Sequence, residues 1–118
     1  MNRTTKFLQI AGKVRTESLM NIKVGAIVVR GSRVIKVACN ATGKPKFIGS
    51  WSRHAEVRAT LNINCKGTTV YCYREHGLNK QPLLAKPCNH CIEWLQFVGV
   101  RSVVYSIEEY PYFMEINI

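Results

Sequence analysis

The chain has 118 residues, enough for one hydrophobic core, and its 47% hydrophobic content suits a globular domain spanning residues 1–118. No apolar run approaches the roughly 20 residues that span a bilayer, and the charged start MNRTTKFLQIAGKV lacks a secretory signal. No membrane role is expected, the expected location is the cytoplasm, and five cysteines there read as metal ligands, catalysts or core residues rather than as a disulfide framework.

In chain order, Phe7, Leu8, Ala11, Val14 and Leu19 fall near helical spacing and predict an amphipathic helix over Thr4 to Met20. KVGAIVVR (23–30) and RVIKVACN (33–40) predict two strands joined by a tight Gly31-Ser32 turn. Residues 41–52, ATGKPKFIGSWS, read as a loop. RHAEVRATLNIN (53–64) reads as a helix with Ser52 as N-cap. TTVYCYR (68–74) is a third strand, and REHGLNKQPLLAK a loop. CNHCIEWLQFV (88–98) is a helix with Pro87 at its entry and Gly99 at its end. SVVYS (102–106) is a fourth strand.

Strands alternating with helices predict parallel β-α-β units, with strands two, three and four as neighbours and the two later helices on one face. The segment between Ser106 and the apolar YFMEINI is too short for a parallel crossover. If that segment is a strand rather than a frayed tail, it should run antiparallel to strand four.

Charge is unevenly placed. Seventeen Lys and Arg face seven acids, all glutamate, for a net +10. Eleven of the basic residues precede His54, and the three acids after Arg101 have no basic neighbour beyond it. A basic first half fits a polyanionic or phosphate-bearing ligand, and equally a merely basic surface.

The chemistry-bearing residues sit at two helix starts. His54 with Cys88 and Cys91 gives one imidazole and two thiolates, three ligands of a tetrahedral zinc site with a fourth position left open. Cysteines three apart at a helix start share one face. Glu56, two residues past His54, is near the metal without binding it, and a carboxylate there can move protons. Zinc lowers the pKa of a bound water toward ~7, so the set fits hydrolytic deamination of an amino-substituted base. A redox C-x-x-C pair or plain core cysteines are the alternatives for Cys88 and Cys91. Cys39, Cys65 and Cys72 read as small buried hydrophobes, Trp94 as core.

The combination HAE plus PCNHC resembles the zinc-dependent cytidine deaminase superfamily. That superfamily includes cytidine and deoxycytidylate deaminases, tRNA adenosine deaminases and polynucleotide cytidine deaminases. The resemblance covers roughly Val24 to Ser106, and the run LLAKPCNHC is similar to small deaminase-like proteins. It implies a three-layer α/β/α fold around a mixed sheet of about five strands, one Zn2+ per chain, and a homo-oligomer. It further implies that Asn40 contacts the base or sugar, that the Ala55 backbone N–H meets the base carbonyl, and that Pro87 belongs to the substrate site. Trp51 precedes HAE in a loop where an aromatic side chain can stack on a base or, alternatively, cover the core. Phe47 has a similar position. Lys44, Lys46, Arg53, Arg58, Arg74 and Lys86 are candidate phosphate contacts, and His76 and His90 candidate base or edge contacts.

The expected activity is conversion of the cytosine of a free nucleoside or nucleotide to uracil with release of ammonia. Two alternatives accompany it. One is the same reaction on cytosine, or adenine, in single-stranded DNA or RNA. The other is a zinc-containing nucleic-acid-binding module without turnover.

Overall fold

A computed structural model describes residues 2–16, 18, 23–40, 54–75 and 80–118. The elements in order are α1 (Arg3–Arg15), β1 (Val24–Arg30), β2 (Arg33–Cys39), α2 (Ala55–Thr60), β3 (Thr69–Glu75), β4 (Pro82–Leu83), α3 (Asn89–Phe97), β5 (Ser102–Ser106) and β6 (Phe113–Asn117). They form one mixed sheet in the order β2-β1-β3-β5-β6, with β4 paired to β3 off that path.

The three-layer arrangement is the expected one. Ala26, Val28, Val70 and Val103 face Ala55, Ala59 and Leu95 of α2 and α3. Ile27, Val29, Tyr71 and Val104 face Phe7, Leu8 and Ala11 of α1. Successive strand residues therefore alternate between two cores, as the strand period of two requires. β5 and β6 run antiparallel, and β3 and β5 parallel. Among the described residues no helix is long and apolar enough to cross a membrane.

Strand order departs from expectation. β1, not β2, lies beside β3, and it pairs with both neighbours antiparallel. The reason is burial. Gly25 to Val29 is buried throughout, so β1 needs a cover on both faces and interior neighbours. β2 carries Arg33 and Lys36 and is only half-buried along most of its length, which suits an edge. The crossover through α2 thus passes over β1 instead of joining adjacent strands. The sheet also has a sixth, two-residue strand, β4, inside the stretch read as a loop.

Two helices are shorter than predicted. α1 ends at Arg15 with Thr16 as C-cap. α2 ends at Thr60, and its N-cap is His54 rather than Ser52. Asn62 at φ 62° turns the chain away just after the helix. The turn between β1 and β2 is the expected one, with Gly31 at φ 62°.

α1 touches the sheet through Gly25. A Cβ there would lie 1.9 Å from the Ala11 carbonyl oxygen and 2.7 Å from the Arg15 backbone nitrogen. Both obstacles are backbone, so the whole helix would have to move. Gly25→Ala should cost about 3 kcal/mol, at the top of the usual overpacking range, and lower Tm by roughly 10 °C. A thermal melt matching the wild type would refute this account of the helix–sheet contact.

Candidate metal and active site

Two helix starts converge on one point of the sheet. His54, in extended backbone at φ −68° and ψ 146°, caps α2. Cys88, likewise extended at φ −68° and ψ 168°, caps α3, and Cys91 lies in that helix's first turn. Neither cap makes a side-chain hydrogen bond to its helix, so both side chains point elsewhere. They point at each other.

His54 Nδ1 is 3.1 Å from Cys91 Sγ and 3.7 Å from Cys88 Sγ, and the two sulfurs are 3.2 Å apart. All three donor atoms lie within 4.8 Å of one another and can hold a metal ion. One borderline nitrogen and two soft sulfurs suit zinc, and three protein ligands leave a position open. The donor set and its spacing therefore fit the ion.

Glu56 is buried, with its Oε1 3.9 Å from His54 Nδ1. Burial, and then the neighbouring Glu56 carboxylate and Cys88, push the Cys91 thiol well above its ordinary value. A cation must therefore displace a proton to bind there. Burial first and Glu56 second also raise Cys72, which lies beneath the site on β3.

Three ties hold the helix starts in place. Ser106, at the end of β5, donates through Oγ to the Leu83 carbonyl at 2.7 Å, accepts from Arg74 N–H at 3.1 Å, and its own carbonyl accepts from Ala85 N–H at 3.0 Å. This anchors the lead into Cys88. Trp94 Nε1 donates to Thr60 Oγ1 at 2.9 Å, joining α3 to α2. Arg58 donates to the Cys39 carbonyl, joining α2 to β2. Arg58 does not line the site cavity; it is a strut rather than a phosphate contact.

The cavity beside the donor atoms has a volume of about 270 Å³. His54, Ala55, Glu56 and Cys88 line its metal side. Asn40 lines it too, fixed at the end of β2 because its Oδ1 accepts from Val24 N–H at 3.0 Å and its carbonyl from Ser18 Oγ at 2.9 Å. Arg74 and Lys86 supply positive charge to the wall, and Val24, Leu84 and Ala85 apolar surface. Pro87 is buried at the helix entry and is not among the lining residues. Its fixed φ suits that entry.

Val24, Leu84 and Ala85 were not legible as site residues; the β4 pairing that brings the last two in has no sequence signal longer than two residues. Cys65 and Cys72 are buried and Cys39 half-buried, as small hydrophobes would be. His90 is exposed. Phe47, Trp51, Lys44, Lys46, Arg53 and His76 lie outside the described residues.

The family model for the cytidine and deoxycytidylate deaminase zinc-binding region matches residues 1–107. Several solved structures share the fold. The dCMP deaminase of cyanophage S-TIM5 in apo form superposes with a TM-score of 0.63 at 22% identity, covering 91% of this chain and 84% of that one. The same phage enzyme in complex with dCMP and dUMP gives 0.61 at 22% identity, with coverages of 92% and 85%. The diaminohydroxyphosphoribosylaminopyrimidine deaminase/5-amino-6-(5-phosphoribosylamino)uracil reductase of Thermotoga maritima gives 0.59 at 21% identity, covering 92% of this chain but 31% of that one. This chain thus spans under a third of that longer protein. No curated protein matches the sequence.

Proposed function

The chain belongs to the cytidine and deoxycytidylate deaminase zinc-binding family and is a zinc-dependent deaminase of that type, and from this we propose that its substrate is a free cytosine nucleotide. Cytosine becomes uracil and ammonia leaves. The observation that carries the choice of a phosphate-bearing substrate is the pairing of Arg74 and Lys86 with the donor atoms and Glu56 in one cavity. Two cations at the wall of a small pocket suit one phosphate group. The phage relative whose structure holds dCMP and dUMP supports the same reading.

His54, Cys88 and Cys91 would hold zinc, which when bound supplies Lewis acidity and lowers the pKa of a water. Glu56 takes the proton of the attacking water and passes it to the ring nitrogen next to the amine-bearing carbon. It then takes the proton of the hydroxyl newly bound to that carbon and delivers it to the departing amine, so that the carbon–nitrogen bond breaks, ammonia leaves and the carbonyl forms. Asn40 and the Ala55 backbone N–H orient the pyrimidine. The apolar Val24, Leu84 and Ala85 limit water around the ring.

The unbridged Cys39, Cys65 and Cys72 suit a reducing cytoplasm. Exposed Phe97, Tyr110 and Met114 suit contact with further copies of the chain.

The net charge of +10 favours a second reading, in which cytosine is deaminated within single strands. A mass-spectrometric panel separates the two. Zinc-loaded protein is offered cytidine, deoxycytidine, their monophosphates, and single-stranded DNA and RNA, with Glu56→Ala as the blank. The expected result is turnover of a monophosphate. Arg74→Ala should then raise its KM by about tenfold or more, and leave turnover of the nucleoside unchanged. Turnover of strands alone, weakening steeply with salt, would replace the proposal with the second reading.

A further inference from the structure

The wall of the catalytic cavity that carries its positive charge is built at a seam in the sheet. β5 pairs with β3 in parallel only from Thr69 to Cys72. Two residues further on β4 takes over, with Arg74 opposite Leu83 and Glu75 opposite Pro82. Val24 of β1 already pairs with Arg74, so β4 lies on the edge that β5 leaves. A strand of two residues brings little ladder pairing with which to hold its own register. Yet it delivers Leu84, Ala85 and Lys86 to the cavity, beside Arg74.

Ser106 fills the seam. It is the last residue of β5 and is fully buried, at 0% exposure. Its Oγ accepts from Arg74 N–H at 3.1 Å and has one proton to give. The Leu83 carbonyl, at 2.7 Å, is better placed to receive that proton than the Arg74 carbonyl at 3.3 Å. The Ser106 backbone carbonyl accepts from Ala85 N–H at 3.0 Å. One buried residue thereby ties together the two strands that meet at the wall, and holds the chain on each side of Leu84. Lys86 follows directly.

We propose that Ser106 is a positioning residue for the substrate: it holds Arg74 and Lys86 at the spacing that receives the phosphate. The inference rests on the phosphate-bearing substrate proposed above. Ser106 does not itself line the cavity and acts only through the wall. Alanine in its place keeps the carbonyl bond to Ala85, but leaves the Leu83 carbonyl and the Arg74 N–H without their shared partner. The wall then loses its register. A cation displaced by about 1 Å holds a phosphate less well, while the chemistry at Glu56 is unaltered.

The test compares the zinc-loaded wild type, Ser106→Ala, Lys86→Ala and the double variant on the monophosphate and on its nucleoside. Ser106→Ala should raise KM for the monophosphate about tenfold, keep kcat within about threefold, and raise KM for the nucleoside by less than about threefold. Added to Lys86→Ala, it should raise the monophosphate KM by less than about threefold further, because the two substitutions act on one contact. A merely structural serine would lower Tm and shift both substrates alike. Amide hydrogen exchange of the wild type reads the clamp without any variant: the Arg74 and Ala85 N–H groups should exchange as slowly as amides inside β3. Wild-type KM for the monophosphate in Ser106→Ala, equal losses on both substrates, full additivity with Lys86→Ala, or fast exchange of both amides overturns the proposal. Failure of the phosphate reading looks different. Arg74→Ala and Lys86→Ala would then leave the monophosphate KM unchanged, which would end both.

Discussion

Glu56→Gln should keep its zinc and its fold while kcat falls by roughly 10²- to 10⁴-fold, the usual range for losing a general acid–base group. The substitution is chosen for its shape. Glu56 is buried in the first turn of α2, and its backbone carbonyl accepts from Thr60 Oγ1 at 3.0 Å. Glutamine keeps the volume and that bond, and removes only the ionisable oxygen. A buried carboxylate is costly to a fold, so a neutral isostere should melt no lower than the wild type. Stability held or raised with turnover lost is the signature of a group retained for chemistry rather than for packing. Stoichiometric zinc by mass spectrometry of the metal content would show that the donor set is intact. Undiminished deamination in this variant would end the assignment of proton transfer to Glu56.

What the sequence made legible about this site is local, and what it hid is long-range. The two helix starts carry their own signals. Pro87 marks the entry to α3, and cysteines at i and i+3 at a helix start share a face, so Cys88 and Cys91 are expected as neighbours, and their sulfurs lie 3.2 Å apart. The strand β1 and its hairpin with β2 were equally visible, but its second neighbour, β3, was not. The clue lay in the contrast between a continuous apolar run, Gly25 to Val29, and the basic residues of β2, which decides which of two hairpin strands is central. Topological rules about adjacent strands pointed the other way, because they do not weigh burial. The wall of the cavity is hidden for a different reason. Leu84, Ala85 and Lys86 enter it because Ser106, some twenty residues later, captures the Leu83 carbonyl. A hydrogen bond of that sequence separation leaves no periodicity to read. Arg58 shows the converse case. It sits on the catalytic helix itself, two residues from Glu56 in sequence, and its side chain is bound to the Cys39 carbonyl in space.

Cys88→Ala should lose bound zinc and lower Tm by roughly 15 °C or more when wild type and variant are compared at zinc concentrations far above the wild-type Kd. This variant isolates the metal's contribution. Cys88 is exposed, so its truncation removes little packing, and it makes no side-chain capping bond to α3, so no helix cap is lost. Cys91, fully buried, would mix metal loss with a core defect. The donors come from the starts of α2 and α3, which also share an apolar core and the Trp94–Thr60 hydrogen bond. Zinc therefore adds a further clamp between the two helices, and its binding free energy becomes folding free energy. Chelator-treated wild type should melt close to Cys88→Ala, while chelator should leave the variant itself unmoved. Retained stoichiometric zinc in Cys88→Ala would remove Cys88 from the donor set. A melt equal to that of zinc-loaded wild type, with the zinc gone, would instead show that the helix starts are held by protein contacts alone.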